Sequence, residues 1–337
     1  MPVPSDLASA PRWYPHRLDP ATGQLLIVER SEDDFRAASF LDDRSLKPGE
    51  AQHLLAWDEV AAAFPADARR DVQYIFHIGH VGSTLISRLL GELPGVLALR
   101  EPLLLRTLFD AHLHGAETWL AGRLDPATAL LSRCFRPEQR ALVKATSFVA
   151  EIAPRLVPAG SAALLLYSPA QRYLENILAG EASRRELHAL ADGRLKRLHR
   201  RLGPSGWPPV GAGEAEKAAL GWACEMTALG AAAAGLGERA RWLDFDAFLA
   251  APAASLAGIA RHFGHPCDPA DAERLTAGPL MGRYSKALEY EYTPQLRAAV
   301  LAQSRAENRA AIAAALKWLD AAGRRFPALA ECLERRD

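Results

Sequence analysis

The chain has 337 residues, 49% of them apolar, and Lys plus Arg equal Asp plus Glu at 40 each. That apolar share supports a sizeable core, while the balanced charge offers no overall positive field for DNA, RNA or an anionic membrane, so any anion site must be local. The cysteines at 134, 224, 267 and 332 form no C-x-x-C pair and have no histidines at zinc spacing, which argues against a zinc framework or metal catalysis and for thiols in a reducing compartment.

The opening segment MPVPSDLASAPRWYPHRLDP lacks a basic stretch followed by an apolar run, so no secretory leader is expected and the protein reads as cytoplasmic. Residues 1–70 read as an N-terminal extension packed on the main domain, which spans 71–337. Within the extension, a strand is expected over Gln24–Glu29 after the DPATG turn, a helix beginning at the capping Ser31, and a helix over Leu54–Phe64. No chemistry is assigned to this part.

From Val72 onward apolar strands alternate with helical patterns, the signature of parallel strands with crossover helices on both faces. Strands are expected at Gln73–Ile78, Val96–Leu99, Ala141–Ala145, Ala162–Tyr167 and Arg241–Phe245. Between the last two lie a charged helix over Ala182–Arg201, a flexible GPSGWPPVGAGE linker and an Ala-rich helix over Glu214–Leu236. Glu225 and the glycines interrupt this apolar run, which marks a buried helix and not a membrane span. Helices over Ala253–Phe263 and Pro294–Ala322 complete the chain.

The most informative stretch is YIFHIGHVGSTLISRLL, Tyr74–Leu90, an apolar strand entering a glycine-punctuated turn and then an amphipathic helix. The first N–H groups of a helix lack intrahelical acceptors and lie at the positive end of its dipole, so they stabilise a bound phosphate or sulfate without a lysine. Gly79 and Gly82 admit the anion to the main chain, and Ser83 and Thr84 add hydroxyl donors. A glycine turn with two N-capping hydroxyls is the plainer alternative.

In open α/β sheets ligands bind beyond the carboxyl ends of the strands. Those ends are HIGH, REP, KATS, YSPAQR and DFD, four of the five polar or charged. Glu101 reads either as a base beside the turn or as a carboxylate favoured by the dipole of the helix after Pro102. Lys144 reads either as a contact to a transferring group or as a solvated strand-end lysine. His80 is a loop donor or a satisfied loop histidine, and His77 is core or a support behind the site.

Taken in order, these segments resemble the sulfotransferase superfamily, particularly its bacterial and tyrosylprotein-type branches, from about Val72 to the C-terminus. GSTLISRLL (Gly82–Leu90) is similar to the motif that holds the 5′-phosphosulfate of PAPS, and LPGVLALREP (Leu93–Pro102) to a segment whose glutamate is the base in tyrosylprotein-type members. LLLYSPAQRYLENIL (Leu164–Leu178) resembles the segment gripping the 3′-phosphate. RWLDFDAFLAAP (Arg241–Pro252) resembles a late strand and its sequel, and GRYSKALEY (Gly282–Tyr290) the loop closing over the nucleotide.

The resemblance implies an α/β fold with a three-layer, P-loop-like parallel sheet flanked by helices. It also implies PAPS as co-substrate, no metal, and a hydroxyl or amine of a small molecule or peptide as acceptor. Glu101, His80 and Lys144 become the catalytic candidates. The turn Gly79, His80, Val81, Gly82, Ser83 and Thr84 would hold the phosphosulfate, and Arg172, Arg283, Ser285 and Lys286 would clasp the nucleotide.

The chain departs from the family at two places. His80 stands where the loop usually carries Lys or Arg. In the 3′-phosphate segment, Tyr167 replaces the first arginine, Ser168 the aspartate and Glu175 the serine. A carboxylate about 5 Å from a phosphate charge costs roughly 3 kcal/mol at an effective dielectric of 20. Arg172 and Glu175, three apart on the expected helix, are spaced to pair and blunt that repulsion.

Two other function classes stay open: a phosphotransferase or other nucleotide-dependent group transfer lacking 3′-phosphate recognition, disfavoured by the absence of a P-loop lysine, and a non-catalytic binding protein. Phe109–Arg136 and the GPSGWPP linker are the expected acceptor walls.

Overall fold

The computed structural model describes residues 2–204, 213–285 and 289–335. Most of the GPSGWPP linker and Lys286 lie outside them. Among the described residues eight strands fall into two sheets, β1 (Trp13–Leu18), β2 (Gln24–Glu29) and β3 (Gln52–Ala56) forming one, and β4 (Gln73–His77), β5 (Val96–Arg100), β6 (Arg140–Lys144), β7 (Ala163–Tyr167) and β8 (Ala240–Asp244) the other.

The second sheet is wholly parallel, in the order β5-β6-β4-β7-β8. Every residue of β4, β5 and β7 is buried, as their unbroken apolar runs require of strands covered on both faces. The helix Ser83–Gly91 packs on β4, β5 and β6, and the helix Glu214–Leu236 on β4, β7 and β8. The chain crosses from β4 toward β5 in one direction and from β7 to β8 in the other. Right-handed crossovers therefore put these two helices on opposite faces, giving three layers. The first strand, β4, lies at the centre where the winding reverses, so the turn after it opens at the switch point between neighbours.

Residues 1–70 hold an antiparallel sheet that is richer than the sequence suggests. The expected helix over Leu54–Phe64 is instead β3 followed by a short helix, Trp57–Ala62. Leu54 is 61% exposed and Leu55 only 9%, a two-residue alternation locked by pairing of Leu55 with Leu25, and that pairing overrides helical propensity. β1 was not expected because Pro15 interrupts it. The sheet tolerates the proline at its edge, with a register shift between Pro15 and Arg17. Both sheets contribute to one continuous core, from Leu7 and Tyr14 through Ile75 to Leu319.

Arg100, at the end of β5, fastens the two regions. Its buried guanidinium donates to the carbonyls of Phe35 and Ala38, at 3.0 and 2.5 Å, and its own carbonyl accepts from the Leu41 N–H at 2.7 Å. The expected C-terminal helix over Pro294–Ala322 is two helices, Pro294–Glu307 and Arg309–Gly323. They part at Asn308, whose side chain donates to the Ser304 carbonyl.

Among the described residues one helical stretch, Glu214–Arg239, is long and apolar enough to cross a membrane, yet 72% of its most apolar window is buried inside the protein. Glu225, midway along it, accepts from Arg197 through both oxygens at 2.8 Å. All four cysteines are free thiols.

Candidate active site

The turn after β4 has the backbone that its glycines permit. Gly79 and Gly82 have φ of +84° and +66°, and His80 between them also takes a positive φ, +56°. A histidine held there costs about 1–3 kcal/mol, so the surroundings must enforce it. Asn176 donates to the His80 carbonyl at 2.6 Å, and His77 accepts the Gly79 N–H at 3.0 Å while donating from its other nitrogen to the Ala145 carbonyl at 2.9 Å. Both ring nitrogens of His77 are thus used in shaping the turn. A Cβ on Gly82 would run into the ring of Phe245, so that position must be glycine for packing as well as for φ.

Gly82 is the N-cap of the helix Ser83–Gly91 and brings no capping side chain. The helix therefore starts with uncapped N–H groups on the wall of a cavity of about 760 Å³, which Gly79 to Leu85 line. Thr84 is 2% exposed, and its Oγ1 is buried with no hydrogen-bond partner. Buried hydroxyls are nearly always satisfied, yet this one, like the Ser87 hydroxyl on the same helix, has no partner within the protein.

Strand register brings Glu101 and Lys144 to the same cavity. Arg100 pairs with Lys144 across β5 and β6, and the Glu101 N–H donates to the Lys144 carbonyl at 2.7 Å. Glu101 is the second non-glycine residue with positive φ, +54°, which swings its side chain from strand to cavity. Its Oε1 accepts from the Lys144 ammonium, and its Oε2 accepts from Arg106 at 3.1 Å, with the Thr146 hydroxyl at 3.4 Å. Burial alone would raise the carboxyl; the Lys144 charge, then His77, the Lys144 hydrogen bond and Arg106 together outweigh it and hold Glu101 well below the ordinary range, at about 2. Glu101 is therefore an ionised carboxylate whose basicity is governed by Lys144.

His80 lies 3.3 Å from Glu186 across the cavity mouth. Arg283 and Ser285 line the same cavity from the C-terminal loop, and Arg88 of the turn's helix donates to the Ser285 carbonyl at 2.9 Å. The structure does not bring Arg172 to this wall. Its Nε donates to Asp246 at 2.7 Å and its Nη1 to Glu175 at 3.0 Å; Glu175, fully buried, also accepts from Arg305 at 2.6 and 3.1 Å. Asp246 pairs in turn with Arg297 at 2.8 Å, so a continuous ion network fills this flank and Arg297 is its member on the cavity wall. Lys286 falls outside the described residues.

Three side chains that the sequence motifs do not mark also line the cavity: Phe40 and Arg44 from the N-terminal region, and Arg106 from the first turn after REP. Arg106 carried a weak signal, a cation five residues beyond Glu101. Phe40 and Arg44 carried none, because only the docking of residues 35–41 on Arg100 puts them there. No residue of Phe109–Arg136 lines the cavity. Among the described residues no group of three or more His, Cys, Asp or Glu is placed to hold a metal.

No protein-family model matches the chain, and no curated protein matches it. Among solved structures, the sulfotransferase domain from the curacin biosynthetic pathway aligns with 14% identity and a TM-score of 0.43, covering 66% of this chain and 83% of that one. At that distance the reading of the site rests on its own geometry.

Proposed function

We propose that the protein transfers a sulfuryl group from PAPS to a hydroxyl or amine of a small-molecule or peptide acceptor. One observation carries the reading: an uncapped helix start with a buried, unpartnered threonine hydroxyl opens on the same cavity as a strained, buried glutamate paired with a lysine. The five sequence segments that resemble sulfotransferases support it, and the free thiols fit a cytoplasmic protein.

The residues present fit the phosphosulfate end of the donor. The N–H groups at Ser83 and Thr84 and the Thr84 hydroxyl are donors awaiting a tetrahedral oxyanion. Glu101 takes the proton from the acceptor as its oxygen or nitrogen bonds to sulfur. The sulfur–phosphate oxygen bond breaks, and 3′-phosphoadenosine 5′-phosphate (PAP) leaves. For Glu101 to accept a proton the Lys144 ammonium must loosen from Oε1, and the developing charge on the transferring group is the nearest place for it. His80, at the mouth, donates a hydrogen bond to the same group. The test is PAP release from PAPS across a panel of phenols and amines. Glu101→Gln is expected to lower kcat at least a hundredfold while leaving PAP affinity within about threefold.

The nucleotide end fits less closely, since Arg172 is committed to Glu175 and Asp246. Arg283 and Arg297 are the guanidinium groups on the cavity wall at that end. The commitment of Arg172 favours, as a second reading, a donor held without a 3′-phosphate. Comparing PAP with adenosine 5′-phosphate in one calorimeter decides between them, and equal affinities would favour the second.

A further inference from the structure

We infer that Asp42 is a positioning residue of the active site: by holding Arg106 against Glu101 it makes the N-terminal region part of the catalytic apparatus. The inference rests on Glu101 serving as base in sulfuryl transfer.

Asp42 lies behind the cavity wall, 5% exposed, and its place relative to Glu101 is fixed by the main chain. The Leu41 N–H donates to the carbonyl of Arg100, the residue immediately before Glu101, and the Tyr14 hydroxyl donates to the Leu41 carbonyl at 3.1 Å. From that anchor, Asp42 Oδ2 accepts from Arg106 Nη2 at 3.2 Å. The same nitrogen donates to Glu101 Oε2 at 3.1 Å, and Arg106 Nε donates to the Thr146 hydroxyl at 3.2 Å. One guanidinium nitrogen thus bridges two carboxylates, and Glu101 is held from the Oε2 side while Oε1 faces Lys144.

A second carboxylate so close would repel Glu101 if left bare. Arg44 prevents this: its Nε and Nη2 take both oxygens of Asp42, at 2.9 and 2.6 Å, and its guanidinium lies 3.5 Å from the centre of the Phe40 ring. The plainer explanation, that Asp42 only docks the N-terminal region, is weakened by the bonds that already do so. Arg100 grips the carbonyls of Phe35 and Ala38, and Arg88 grips the Ala37 carbonyl and the Ser39 hydroxyl. None of these involves the Asp42 side chain.

Without the Asp42 charge, the Arg106 guanidinium is free to move wholly onto Glu101, which lowers the basicity of the carboxylate and turns it from the acceptor. The experiment measures PAP release from PAPS with 4-nitrophenol for wild type, Asp42→Asn, Arg106→Gln and the double variant. Calorimetric PAP binding and thermal unfolding are recorded for each. Asp42→Asn is expected to lower kcat about tenfold, with the KM for PAPS and the PAP affinity within about twofold. The double variant is expected to be no slower than Arg106→Gln alone, because the two residues act through one contact. Unchanged kcat in Asp42→Asn, multiplicative losses in the double variant, or parallel loss of PAP binding and fold would each overturn the inference. If Asp42→Asn does not fold, Arg106→Lys, which keeps the charge but ends a bond short of Nη2 and lacks the planar fork that holds Thr146 as well as the two carboxylates, replaces it with the same expected split. If wild type neither binds PAP nor releases it with phenol, amine or water as acceptor, the sulfuryl-transfer reading itself fails and this inference falls with it.

Discussion

Replacing Glu101 by glutamine removes the countercharge of a lysine that is 1% exposed. Breaking a buried pair from one side costs about 3–5 kcal/mol, whereas replacing both members by uncharged groups of similar volume costs little. Glu101→Gln and Lys144→Met are each expected to lose about 3 kcal/mol, and the double variant to lie within about 1 kcal/mol of wild type. Acid gives an independent check. The Glu101 carboxyl sits at about 2 in the folded chain against an ordinary 4.5, and that depression corresponds to about 3 kcal/mol. Because the folded value is lowered, the stabilisation is complete above pH 4.5 and is lost as pH falls from there toward 2. The gap between wild type and Glu101→Gln, read from urea unfolding by circular dichroism, should therefore hold from pH 7 to 5 and narrow below it. Additive losses in the double variant, or a gap indifferent to pH, would refute the claim that this pair organises the floor of the cavity.

Thr84→Val keeps shape but removes the unpartnered hydroxyl. It should stabilise the ligand-free protein by up to about 1 kcal/mol while weakening PAP binding about tenfold or more, as thermal unfolding with and without PAP will show. Gly82→Ala combines left-handed backbone strain with a clash against Phe245, and should destabilise by about 2–4 kcal/mol and abolish PAP binding. Glu175→Gln strips the countercharge shared by Arg172 and Arg305, and an unfolding midpoint several degrees lower is expected, with PAP affinity within about threefold because neither arginine lines the cavity.

The parallel sheet was legible because its strands are buried on both faces and so stand out as continuous apolar runs between helical patterns. The turn was legible because positive φ at Gly79 and Gly82 and a tight approach to Phe245 leave glycine as the residue that fits. β1 and β3 were hidden, one by Pro15 at a sheet edge and the other by a Leu-rich run whose alternation shows only when β2 is beside it. In the site, Glu101 and Lys144 could be named from strand ends, but their mutual bond depends on the β5–β6 register, which no local pattern encodes. Asp42 and Arg44 were invisible, and Arg106 only weakly signalled, for the same reason: a contact between residues 64 apart is set by the docking of the N-terminal region beside β5. Arg172 shows the converse. Its spacing to Glu175 was readable on the helix, whereas the partners that draw it into the ion network, Asp246 and Arg305, come from distant segments.

The central claim is that the helix opening after Gly82 captures a tetrahedral oxyanion beside Glu101. Calorimetric titration of the wild-type chain with PAP tests it most directly. Saturable one-to-one binding below about 100 μM, about −5.5 kcal/mol, is predicted, with the affinity cut in Thr84→Val and lost in Gly82→Ala. Folded wild-type protein that gives no heat at millimolar PAP would contradict it.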